Sequence, residues 1–137
     1  MDKELTEENA RKFAEENFGK MPELENKWNI IHASCMVKAI EELTNNPRIL
    51  DKLKPLAWVH DIGKIKSEEN HGELSIEILN NSFNLDEIDK ECILNHGSSG
   101  TPKSEEAKIF QTAAGLPGAC QRSCGRNVWR PQCNEGL

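Results

Sequence analysis

Lys27-Trp28-Asn29-Ile30-Ile31-His32-Ala33-Ser34-Cys35-Met36-Val37-Lys38-Ala39-Ile40-Glu41-Glu42-Leu43 is the stretch on which the fold turns. Trp28, His32, Cys35, Met36, Ala39, Ile40 and Leu43 recur at steps of three and four, the spacing of one helix face. Taken alone, a histidine in such an apolar stripe reads as a hydrogen-bonded core residue. What changes its meaning lies 28 residues on, in Leu56-Ala57-Trp58-Val59-His60-Asp61-Ile62-Gly63-Lys64.

Outward from these two segments the chain reads as short helices joined by polar turns. Thr6 is placed to cap a helix reaching about Phe18, with Glu7 and Glu8 favourable in its first turn. Pro55 suits the first turn of a helix running through Ile62, and Gly63 its stop. Glu73 to Asn80 and Asp86 to Asn95 are two more helices. The second of them, carrying Ile88, Cys92 and Ile93, ends in the turn Gly97-Ser98-Ser99-Gly100. Ser104 caps a last helix beginning Glu105-Glu106-Ala107. No segment sustains period-two alternation, so the expected fold class is all-α.

The composition changes near Ala114. Up to Ala113 the chain has 12 Lys against 2 Arg, and 11 Ile; from Ala114 on it has no Lys, Ile or Asp, but 3 Arg and 3 Cys in 24 residues. Gly115-Leu116-Pro117-Gly118 breaks helices just where the last one has barely formed. We therefore expect a helical domain over 1–113 and an irregular tail over 114–137. The tail reads as sequence of foreign origin, with an ordinary disordered C-terminus as the plainer alternative.

Composition also bounds function. A length of 137 residues fits one domain with a modest core. The net charge of −6 disfavours non-specific binding to nucleic acid, which needs clustered cations against phosphates. No run approaches a bilayer-spanning helix, so no membrane partner is expected. The acidic start lacks the apolar core of a secretory signal, which makes a cytoplasmic location the expectation. The five cysteines are then read as reduced thiols. Cys35 and Cys92 look like small core residues. Cys120, Cys124 and Cys133 lack a fourth ligand for zinc unless Cys92 supplies it, so free thiols are the default reading.

The chemistry gathers on the histidines. The chain has four, His32, His60, His71 and His96. His60 is followed by Asp61 at the end of an apolar helix. Burial costs a carboxylate its hydration, and a helix C-terminus already carries partial negative charge. Something positive should offset both: a divalent cation with imidazole ligands, or Lys64 in a local ion pair. Singly, His71 reads equally as a cap or surface residue lying before the first turn of its helix, and His96 as a partner of the helix dipole. Imidazole and carboxylate together are a standard donor set for transition metals, and helix bundles assemble such sites from inward-facing side chains. Glu73, Glu77, Asp86 and Glu87 read as solvated helix faces.

His32, then Leu56 to Lys64, then His71-Gly-Glu-Leu-Ser-Ile-Glu-Ile-Leu79, then Ile93-Leu-Asn-His96 resembles the HD superfamily of metal-dependent phosphohydrolases. The likeness is to small proteins with the HDIG form of the motif, and it covers about Asn26 to Ala113. It implies a compact helical bundle, whose last helix the break near Ala114 would truncate. One metal would be held by His32, His60, Asp61 and a later aspartate, and in two-metal members Asp61 bridges to a second ion bound at His71 and His96. It further implies one or two divalent ions, with Mn, Fe, Co, Ni or Zn favoured over Mg. These would polarise a phosphate and lower the pKa of a water, with Asp61 and Lys64 as the residues carrying the chemistry. The substrate would be a small phosphate ester or nucleotide.

One departure is specific. The position of the family's final aspartate, after Glu106 to Ala113, is occupied by Ala114, and no Asp follows Asp89. Two alternatives to an active hydrolase therefore stand. One is a catalytically impaired member that binds a nucleotide or a protein partner. The other is a helical interaction domain whose histidines are structural. A shortened last helix would also leave an apolar face through which a homo-oligomer could form.

Overall fold

The computed structural model describes residues 3–116, and within them the chain forms six α-helices and no strand. They are α1 (Glu7–Phe18), α2 (Glu23–Leu43), α3 (Pro47–Val59), α4 (His71–Asn80), α5 (Glu87–Leu94) and α6 (Glu105–Ala114), with one 3₁₀ turn, Ile62–Ile65, after α3. The all-α expectation holds; the nearest approach to sheet is a single bridge between Lys3 and Phe83. Among the described residues no helix is long and apolar enough to cross a membrane.

Helix α3 is the central element. It packs against α1 and α2 and also touches α5 and α6. Ile49, Leu53, Leu56, Ala57 and Val59 are all buried on it, which is why the segment ending in His60-Asp61 lies inside the bundle. The start of this helix differs from the expectation. It begins at Pro47, with the Asn46 side chain accepting from the Arg48 amide at 3.0 Å, and Pro55 lies inside it. The Ile49–Leu53–Leu56 spacing already carries the helical period upstream of Pro55. Pro55 can donate nothing to the carbonyl one turn back, at Asp51, but Asp51 is exposed and water can serve it. The helix stops at Val59, and Ile62 and Gly63 belong to the 3₁₀ turn.

Two other starts move. Helix α2 begins four residues before Lys27; its first turn, Glu23 to Glu25, is exposed, Leu24 included, and buries nothing in the core. Helix α4 begins at His71 itself rather than at Glu73, so His71 is its first helical residue. Asn70 enters it with φ 58°, a left-handed conformation that asparagine tolerates better than most residues.

Thr6 and Ser104 cap α1 and α6 through their side chains as expected, and Asp86 caps α5, which was not expected. Asp86 is thus a cap rather than a helix-face residue. It also pairs with Lys52, which lies 3.0 Å from the buried Asp89. Helix α6 runs through Ala114 and buries Ala107, Phe110 and Ala113. Cys35 and Cys92 are both buried. Cys92 is the free thiol among the described residues, with its pKa pushed up to about 12 by burial, so the reading of five reduced cysteines holds there for Cys92 alone. Cys120, Cys124, Cys133 and nearly all of the expected tail lie outside the described residues.

Candidate metal centre

Four elements deliver the four histidines to one place. His32 comes from the middle of α2, His60 caps the C-terminus of α3, His71 opens α4, and His96 lies just past the end of α5. Asp61 sits among them at 5% exposure, and His60 at 1%.

The carboxylate faces two ways. Its Oδ2 lies 3.5 Å from His32 Nε2, 3.3 Å from His60 Nε2 and 3.5 Å from Lys64 Nζ. Its Oδ1 lies 3.2 Å from His71 Nε2 and 3.4 Å from His96 Nε2. Asp61 therefore belongs to two ligand groups, one with His32 and His60 and one with His71 and His96, and in each group the donor atoms lie within 4.8 Å of one another.

Backbone geometry fixes which ring nitrogens point inward. His60 Nδ1 lies 2.9 Å from the Ala57 carbonyl, His71 Nδ1 3.0 Å from that of Glu68, and His96 Nδ1 2.6 Å from that of Ile93. A carbonyl only accepts, so each Nδ1 must carry the proton. In the neutral ring, Nε2 then presents a bare lone pair to Asp61. This is the arrangement by which a backbone carbonyl orients an imidazole for metal ligation.

Without a cation the consequence is a conflict of acceptors. His71 Nε2 and His96 Nε2 face each other at 3.3 Å. His60 Nε2 and Asp61 Oδ1 are buried with no hydrogen-bond partner. Unpaired buried polar atoms are costly, and a positive charge placed among them removes the cost. Protons supply part of it. The hydrogen bond to Asp61 raises the pKa of His71, so a proton shared between them serves Oδ1. Burial pushes the Asp61 carboxyl up, but the imidazoles of His60, His71 and His96 around it outweigh that and hold the group well below the usual carboxylate range. Burial lowers His32 to about 4 against the opposing pull of Asp61, which keeps it a neutral donor at physiological pH. Nitrogen and oxygen donors that converge on an ionised, buried carboxylate fit a divalent transition metal.

The two halves of the site are joined by Ser75 on α4. Its hydroxyl accepts from the Gly63 amide at 2.7 Å and donates to the His60 carbonyl at 2.9 Å. Gly63 permits this closeness: a Cβ there would lie 2.2 Å from the His71 carbonyl oxygen and 2.7 Å from the Ser75 nitrogen. Phe110, from α6, meets the His60 ring edge-on at 5.5 Å. None of these supporting roles was read from the sequence, although a serine one turn before Leu79 on the buried face of α4 is a signal that could have found Ser75.

A cavity of about 320 Å³ opens onto the cluster. His32, Asp61, Lys64, His71 and His96 line it, together with Gly97, Ser98, Gln111 and Ala114. Lys64 pairs with Asp61 and also lines this cavity. Ala114 faces that space as well. Compared with models of protein families, with curated proteins and with solved structures, the chain matches none.

Proposed function

We propose that this chain is a metal-dependent phosphohydrolase of the HD type, acting on a small phosphate ester or nucleotide. The observation that carries the reading is Asp61: a buried carboxylate whose two oxygens each meet a pair of imidazole nitrogens. The sequence resemblance around His60-Asp61-Ile62-Gly63-Lys64 supports it further. His32, His60 and Asp61 would hold one divalent ion, and Asp61, His71 and His96 a second. Such ions supply a Lewis acid for phosphate and lower the pKa of a water at the site. The chain's own part is to orient the imidazoles through the Ala57, Glu68 and Ile93 carbonyls, to keep Asp61 ionised, and to present Lys64 Nζ to a phosphate oxygen from the cavity wall.

The reading is tested by assaying phosphomonoester and phosphodiester substrates after chelation and after adding back Mn²⁺, Co²⁺ or Zn²⁺. Hydrolysis that returns with metal and is abolished in Asp61→Asn supports it. Activity indifferent to chelation refutes it.

A second reading is favoured by one observation, Ala114 on the cavity wall. It is a member of the same type that binds metal and a phosphorylated ligand but turns over poorly, because the first group lacks its last anionic ligand. Metal binding without turnover, with turnover gained in Ala114→Asp, would single it out.

A further inference from the structure

His71 is held by a helix and His32 and His60 by two others, but His96 stands on a loop, and something must hold that loop in place. The loop runs from Asn95 to Ser104, between α5 and α6. Its first turn closes with the Gly100 amide donating to the Gly97 carbonyl at 3.0 Å. Onto this turn comes a side chain from α6. The Gln111 Nε2 donates to the Gly97 carbonyl at 2.8 Å and to the Gly100 carbonyl at 3.0 Å. An amide NH₂ has two hydrogens, and here each finds one carbonyl of the same turn.

We propose that Gln111 is a positioning residue for His96, the means by which α6 sets the His71–Asp61–His96 half of the site. Gly97 is the next residue after His96, so clamping its carbonyl fixes the Gly97–Ser98 peptide, one residue beyond the ligand. On the ring's other side the Nδ1–H to the Ile93 carbonyl fixes its rotation. The loop has other ties, before His96 and at its far end. Asn95 Oδ1 accepts from the Thr101 amide at 3.1 Å, and the Glu91 carboxylate accepts from the Lys103 and Ser104 amides and the Ser104 hydroxyl. The Glu91 bonds anchor the loop's far end and the Asn95 bond holds the residue before His96, while the Gly97–Gly100 turn after His96 takes its side-chain bonds from Gln111. The same side chain lines the cavity with Lys64 and Ala114. The final turn of α6 therefore shapes both halves of the site: one through Ala114 and the other through Gln111.

The inference rests on the metal-binding reading for its consequence but not for its geometry, and the test separates the two. In the full chain, Gln111→Met keeps bulk and removes both donors. Long-range ¹H–¹⁵N spectra of the four imidazoles are recorded without metal, and Co²⁺ is then titrated in with its visible absorption as readout. The expected result is that His96 and His71 signals shift while those of His32 and His60 stay, and that the affinity for one Co²⁺ falls about tenfold, the usual scale for losing a residue that orients a ligand. Four unchanged imidazoles would overturn the proposal, because Glu91 and Asn95 would then suffice. Four that move together with a lowered melting temperature would also overturn it, because Gln111 would then be ordinary packing. A selective shift of His96 in a protein that takes up no Co²⁺ would uphold the positioning role and remove the metal reading.

Discussion

Replacing Gly63 by alanine adds one methyl group where the two halves of the site meet, and its cost follows from the distances. The new Cβ would lie 2.2 Å from the His71 carbonyl oxygen, 2.7 Å from the Ser75 nitrogen and 2.9 Å from Leu74 Cβ. The first two are backbone atoms of α4, so no side-chain rotation relieves the clash. The first turn of α4 must move away from the 3₁₀ turn by about 1.2 Å to restore an ordinary contact. Overpacking of this kind costs about 1–3 kcal/mol. The shift also stretches the buried bond from the Gly63 amide to Ser75 Oγ, worth about 1 kcal/mol. We therefore expect Gly63→Ala to destabilise the metal-free protein by about 2–4 kcal/mol. Urea unfolding should show a lower midpoint with an unchanged slope. The same displacement moves His71 away from Asp61, so metal affinity should fall too. The control is Gly97→Ala, where a Cβ meets nothing within 4 Å; its cost should stay within about 0.5 kcal/mol. A Gly63→Ala protein as stable as that control would refute the reasoning.

The half-buried, neutral His32 predicts a pH dependence in the metal-free protein. Its folded pKa, about 4, lies below the unfolded 6.5, so the unfolded chain binds the extra proton and stability falls as pH drops from 6.5 to 4, by about 3 kcal/mol. His71, raised by Asp61, acts in the other direction and only above 6.5, where its contribution is lost as pH rises through its folded value. Urea midpoints across that range should fall for the wild type and stay flat for His32→Gln; equal slopes would contradict the assignment. Ala114→Asp, on the wall of the same cavity as His32 and Asp61, should raise metal affinity at least about tenfold while lowering the melting temperature of the metal-free protein, since it places a second anion near Asp61. A calorimetric titration and a thermal melt check both halves. Lys52→Met strands Asp89, whose side chain is 6% exposed, and should cost about 2 kcal/mol in urea unfolding; no loss would show that Asp89 is satisfied by its capping bonds alone.

The parts of this molecule that were legible in the sequence are those written locally. The apolar period of Trp28 to Leu43 identified α2, and Thr6 and Ser104 announced their helices, because a cap and its first turn are neighbours in the chain. Pro55 misled because a proline is ambiguous by itself: it opens a helix or sits inside one, and only the upstream Ile49–Leu53 spacing, with the Asn46-Pro47 start, decides between them. The convergence of His32, His60, Asp61, His71 and His96 was inferable because so few residue types can serve a metal. What holds them was not. The Ser75 bridge spans 12 residues to Gly63, the Gln111 clamp 14 residues to Gly97, and the Lys52–Asp86 pair 34 residues. A serine, a glutamine and a lysine have many possible partners, and nothing local says which one the fold will supply. The reach of Asp61 to both histidine pairs, by contrast, was implied by the resemblance, and the convergence of the donor atoms within 4.8 Å agrees with it.

The central claim is that Asp61 organises a divalent-metal site, and metal content per chain tests it most directly. Wild type and Asp61→Asn would be dialysed against Mn²⁺, Co²⁺ or Zn²⁺, freed of excess, and measured by elemental mass spectrometry. The account predicts one to two equivalents in the wild type and essentially none in the variant, with both proteins folded. A wild type that retains no metal, or a variant that retains as much, would contradict it.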